Sequence, residues 1–74
     1  MSRRLDPQRI DEARRAALMS RLVGGGVPDQ KAAAWIASWE SHAIQAAIPH
    51  RGDFWTQGWQ WINAEREAGR QPRM

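Results

Sequence analysis

The stretch from Pro28 to Ala47, PDQKAAAWIASWESHAIQAA, decides how this chain folds. At 100° per residue Ala32, Trp35, Ile36, Trp39, Ala43, Ala46 and Ala47 share one arc, while Ala34, Ser38, Ser41 and Gln45 lie opposite. That is the period of an amphipathic helix, with the indoles of Trp35 and Trp39 one turn apart on its apolar face. Pro28 suits the first helical position, and Asp29 meets the positive end of the helix dipole. At the far end Pro49 pushes Ile48 out of the helical region, so the pattern predicts a helix over 28–47.

A second tryptophan pair, Trp55 and Trp59, repeats the i,i+4 spacing, and Phe54, Trp61 and Ile62 accompany it. Asp53 is the N-cap candidate, and Gly69 followed by Pro72 supplies a stop, giving a helix over 54–68. Gly58 inside that helix costs about 1 kcal/mol relative to Ala, so it marks a close helix crossing or room for an indole. Upstream, Asp6 caps a helix with Pro7 at its first position and Leu5 stapling against Ile10. Ala13, Ala17, Leu18, Leu22 and Val23 continue the pattern until Gly24-Gly25-Gly26 stops it. β-Branched residues are few and no alternating run occurs, so no strand is expected. The fold expected is all-α, a compact three-helix bundle with helices about 7–23, 28–47 and 54–68. The 74 residues form a single domain, with frayed tails at about 1–4 and 70–74.

Seventy-four residues stand near the lower limit for a self-sufficient core, which makes a homodimer one way to complete it. Ala33, Ala34, Ala37, Ser38 and Ser41, all small, would let a second helix approach and form a dimer seam. The absence of cysteine excludes disulfides, thiolate metal sites and cysteine nucleophiles. No uncharged apolar run approaches 18 residues, and no apolar segment follows Arg3 and Arg4 as in a secretory leader, so the chain reads as cytoplasmic, with no membrane partner.

The formal charge is +3 and the isoelectric point about 11.1, which invites a nucleic-acid reading. The charge is spread, with +3 over residues 1–23, −1 over 24–50 and +1 over 51–74, and no segment is a dense basic block. The run from Leu22 to Ile36, LVGGGVPDQKAAAWI, resembles the turn and recognition helix of helix-turn-helix DNA-binding proteins. Gly26-Val27 stands where that family has its turn, and Trp35-Ile36 where an apolar pair anchors the far end of the second helix. The resemblance implies that Gln30 and Lys31 reach base edges while Arg3, Arg4, Arg9, Arg14 and Arg15 hold phosphates. The remaining outward positions of that helix are Ala and Ser, which carry little readout chemistry.

Other candidate features are sparse. Arg14 and Arg21 lie one heptad apart inside the arc of Ile10, Ala17 and Leu18. There they either present a mixed basic and apolar stripe to a partner or lay their stems and guanidinium planes over tryptophan faces. Phe54 and Trp61 lie close on the third helix's wheel and are the candidate partner-contact patch, because exposed tryptophan is enriched at binding hot spots. His42 and His50 match no zinc spacing, so no metal is expected, and His42 reads as a half-buried boundary residue. No nucleophile has an adjacent base, and the glycine run lacks the Lys-Ser/Thr of a phosphate loop, so no catalytic residue or cofactor is assigned. The residues favour a small non-enzymatic interaction module that binds another protein through a helical surface, with Phe54, Trp61, Arg14 and Arg21 as contacts. The alternative is the helix-turn-helix-like nucleic-acid binder.

Overall fold

Three residues in the left-handed region end the three helices of this protein, and they set the path of the chain. The computed structural model describes residues 7–73, with side-chain surroundings from residue 9 onward. Helices α1 (Pro7–Gly24), α2 (Asp29–Gln45) and α3 (Phe54–Glu67) follow one another with no strand among the described residues. The expected cap and staple at Asp6 and Leu5 lie outside the described residues, as do Arg3 and Arg4.

After α1, Gly26 has φ 97°, Val27 N–H donates to Leu22 O at 3.0 Å and Gly26 N–H to Val23 O at 3.0 Å. After α3, Gly69 has φ 76°, and the N–H groups of Arg70 and Gly69 donate to Glu65 O and Arg66 O, both at 3.0 Å. These are the two bonds of a Schellman motif, which satisfy carbonyls that a helix end would leave open. Helix α2 ends in the same way with Ala47 in the glycine position at φ 55°, Ile48 N–H reaching Ala43 O at 2.9 Å. The expected extent to residue 47 therefore shortens by two residues. The turn at Ala46-Ala47 stops α2 before Pro49 can, and it lays Ile48 against the core. A Cβ in this conformation costs about 1–2 kcal/mol.

The helices pack as a three-helix bundle, each against both others. Leu18 and Leu22 of α1, Val27 of the turn, Trp35, Ile36 and Trp39 of α2, and Phe54, Trp55 and Ile62 of α3 form one buried cluster. Ala32, Trp35, Ile36, Trp39 and Ala43 of the arc read from α2 are buried, whereas Ala46 and Ala47 stand exposed beyond the helix and Ala34 and Ser38, placed opposite the arc, are buried as well. Trp39, 1% exposed, is the largest fully buried side chain, with ring centroids of Phe54 and Trp61 at 5.1 and 5.8 Å. Its indole runs over Gly58, where an added Cβ would stand 2.6 Å from Trp39 Nε1 and 2.7 Å from Cδ1. Gly58 is thus the room for an indole that its position in a helix suggested. Trp39 Nε1 is buried without a hydrogen-bond partner among the described residues. Asp53 stands at the N-cap of α3, but its side chain makes no cap bond and instead accepts from Gln57 Nε2 at 2.9 Å.

The chain after α3 departs from the frayed tail expected at 70–74. Turned by Gly69, it returns along α2, where Ser38 Oγ donates to Arg73 O at 3.0 Å and accepts from Arg73 N–H at 2.7 Å. Ser38 is 4% exposed and Ala34 9%, and the returning backbone at Arg73 covers Ser38. Two of the five small residues named on that face of α2 are therefore covered within the chain itself. Only Ala33, Ala37 and Ser41 of that set stay exposed. No helix among the described residues is long and apolar enough to cross a membrane.

Candidate interaction site

One heptad of α1 and one turn of α3 frame a groove of about 470 Å³. Heptad spacing puts Arg14 and Arg21 on the α3 side of α1, with Ala17 between them and Leu18 below. Across the cavity the second tryptophan pair points toward α1. Trp55 is buried as floor, whereas Trp59 is half-buried as wall. Gly52, at φ 61°, and Asp53 close one end.

Both arginines are fixed in place, neither by a carboxylate. The Arg21 guanidinium carbon lies 4.1 Å from the centre of the Trp59 ring, and Arg14 Nη1 donates to Gly52 O at 3.1 Å. A cation over an indole face gains about 0.5–1 kcal/mol at an exposed site. Their neighbour Arg15, by contrast, is ion-paired with Glu40 at 3.1 Å, and Arg70 with Glu65. Most guanidinium N–H groups of Arg14 and Arg21 therefore have no acceptor among the described residues.

Beside this groove Asp11 fastens three elements together. Its Oδ1 accepts from Trp55 Nε1 at 2.7 Å and meets His50 Nε2 at 2.7 Å, joining α1 to α3 and to the loop before it. His50 in turn stacks on Phe54, with centroids 4.0 Å apart and planes 7° from parallel. Partial burial pushes the Asp11 carboxyl up. The hydrogen bonds from Trp55 and His50, with the charges of His50 and Arg14, outweigh this and hold it below its ordinary value of 3.8.

The residues expected to contact a partner are split by the fold. Arg14 and Arg21 come together in the groove, and Arg21 combines both readings of the sequence, stacked on an indole yet exposed. Phe54 is 2% exposed, wedged between Trp39 and His50, so the Phe54–Trp61 patch does not form. A helical wheel drawn for α3 alone misses the loop residue His50 that covers Phe54. Trp61 is half-buried, stacked on His42 at 4.8 Å and edge-on to Trp35 at 6.2 Å. Among the candidate nucleic-acid residues Arg9, Gln30 and Lys31 are exposed. Arg9 lies about 140° around α1 from Arg14, and Arg15 is held by Glu40, so the described arginines do not line one face. No group of three or more metal-ligating side chains occurs among the described residues.

Two contributors went unnoticed in the sequence. Trp59 could have been found, because its i,i+4 partner Trp55 already marked that face. Asp11 gave a fainter signal, an acid flanking the apolar arc of α1. Chemically, the groove offers fixed cationic donors beside aromatic area, and no nucleophile, paired acid and base or metal-ligand set lines it. Compared with known proteins, the chain matches no family model, no curated protein and no solved structure.

Proposed function

We propose that this protein is a non-enzymatic interaction module of the cytoplasm that binds another protein in the groove between α1 and α3. The observation that supports this reading is the composition of the groove: Arg14, Arg21 and Trp59, exposed or half-exposed around a buried apolar floor. Arginine and tryptophan are the residue types most enriched where a few side chains carry most of the binding energy. Held by a ring and a carbonyl, the two guanidinium groups have already lost part of the freedom that binding would otherwise cost. Arg14 and Arg21 are the contacts of this site, and Trp59 and Thr56 replace the buried Phe54 on the α3 side.

A photo-crosslinking residue placed at Thr56, on the exposed rim of the groove, tests the proposal against the same residue at Ala37 on α2. The expected result is a protein adduct of discrete mass from position 56 that is absent from position 37. Arg14→Gln/Arg21→Gln should abolish it without lowering the melting temperature by more than a few degrees. No discrete adduct from position 56, or retention of duplex DNA at low salt that falls steeply as salt rises, would overturn the reading in favour of none or of nucleic acid.

A further inference from the structure

We propose that the occupant of the groove is an acidic amphipathic helix, which sets two carboxylates one heptad apart on Arg14 and Arg21 and lays its apolar side chains over Ala17 and Trp59. This rests on the groove being the docking face, as argued above, and it specifies what docks there.

Charge is the first argument. Two arginine–carboxylate pairs occur among the described residues, Arg15–Glu40 and Arg70–Glu65, and His50 meets Asp11; none of these involves the two groove arginines. Two carboxylates stand at or beside the groove, Asp53 in its lining and Asp11 within reach of the Arg14 charge, yet neither pairs directly with Arg14 or Arg21 among the described residues. Asp11 Oδ1 receives Trp55 and His50, and Asp53 Oδ1 receives Gln57. Arg14 spends one donor on Gly52 O, and Arg21 stacks on Trp59 with no hydrogen bond among the described residues. Guanidinium presents five N–H donors in a planar fork that fits a carboxylate by two parallel bonds.

Spacing is the second argument. Seven residues of α-helix rise about 10.5 Å, so Arg14 and Arg21 repeat at the interval at which a second helix repeats its own i and i+7 side chains. Ala17, the small residue between them, leaves space above Leu18 for an inserted side chain.

The backbone of the occupant is the third. An extended peptide would bring unpaired N–H and C=O groups to a site without a strand edge. The carbonyl of Gly52, at one end of the groove, already accepts from Arg14. A helix satisfies its own backbone and needs from the groove only what it offers, two cationic forks and apolar area.

The test uses the intact chain and three tryptophan-free, end-blocked helical peptides of about fourteen residues. They share leucines at the intervening i+3 and i+4 positions and differ only at two positions one heptad apart, which are Glu, Gln or Lys. Binding is followed by calorimetry and by the tryptophan emission, in which Trp59 reports the groove. The Glu peptide is expected to bind at least tenfold more tightly than the Gln peptide, with the Lys peptide weaker still. Affinity should fall as salt rises, and Arg14→Gln/Arg21→Gln should remove the preference for Glu. Arg15→Gln, whose partner Glu40 lies on α2, should leave it intact. Equal binding of the Glu and Gln peptides would overturn the acidic occupant while leaving the groove a docking surface. No binding of any peptide would overturn it too, and the crosslink from position 56 then decides whether the groove docks a protein at all. A dimer seen by light scattering that the double arginine variant dissolves would assign the groove to a second copy instead, and tighter binding of duplex DNA through the same two arginines would assign it to nucleic acid.

Discussion

Helix α3 carries tryptophans to two seams that are built on opposite plans. Toward α2 the seam is closed at its centre, though not at its edges: Trp39 lies 1% exposed on a residue with no side chain, and Phe54, Trp61 and His42 pack around it. Toward α1 the seam is open above a buried floor, where Trp59 is covered on one face by a charged side chain and a cavity of about 470 Å³ remains. The closed seam supplies dispersion and apolar burial, which define one packed arrangement. The open one spends its apolar area and its cations only in part, which is the basis of the docking proposal. The five indoles of the chain are thus shared between the two seams.

Truncating one indole on each side tests that division most severely. Trp39→Ala should cost about 3–5 kcal/mol, enough to remove the cooperative unfolding transition of so small a domain in a thermal melt followed by circular dichroism. Trp59→Ala removes a half-buried ring, should cost about 1–2 kcal/mol and should leave a folded protein. Equal losses from the two would show that the groove wall is as much a part of the core as the closed seam.

A single methyl separates the seams next. In Gly58→Ala the new Cβ overlaps a rigid, buried ring, and an overpacking cost of about 1–3 kcal/mol exceeds the gain of about 1 kcal/mol in helix propensity, so urea midpoints should fall. Gly24→Ala, at the last residue of α1 with nothing within 4 Å of its Cβ, should instead gain up to about 1 kcal/mol. A rise for both would mean that Trp39 moves aside freely.

At the turn after α2, Ala47→Gly relieves a strained positive φ and should gain about 1 kcal/mol, or roughly 4–8 °C in melting temperature. The effect would vanish if the alanine sat elsewhere in backbone space.

The bond network beside the open seam gives a smaller, pH-dependent effect. Folding lowers the carboxyl of Asp11, so its contribution is full above the unfolded value near 3.8 and is lost as pH falls through the lower folded value. Asp11→Asn should therefore be less stable than the parent at neutral pH, with the gap closing in acid below 3.8. A gap independent of pH would point to lost hydrogen bonds alone. Smallest of all is Arg21→Ala. It removes a cation–π contact of about 0.5–1 kcal/mol and should shift the melting temperature by only a few degrees.

The closed seam was legible in the sequence, because it is made by periodicity. Trp35, Ile36, Trp39 and Ala43 repeat at helical spacing, and Gly58 stood out as a residue that a helix tolerates only for a reason. The three helices followed from prolines and glycines that leave the backbone few choices. What escaped depends on where non-helical segments return. His50 has no periodic neighbours to announce that it will cover Phe54 and meet Asp11. Nor does the order of residues in α2 tell that Ser38 will grip the backbone of Arg73, a contact that exists only because Gly69 turns the chain back. The arginines of the open seam were visible as an oddity on the α1 wheel, but only the position of Trp59 shows that they can be held without being neutralised.

The fit of Trp39 over Gly58 also bears on how this protein can change over generations. The two positions form a single unit of inheritance: a methyl gained at 58 must be matched by a smaller ring at 39, so that Gly58→Ala combined with Trp39→Phe should fare better than the methyl alone. In an alignment of homologous chains, substitutions at these two sites should be seen to covary.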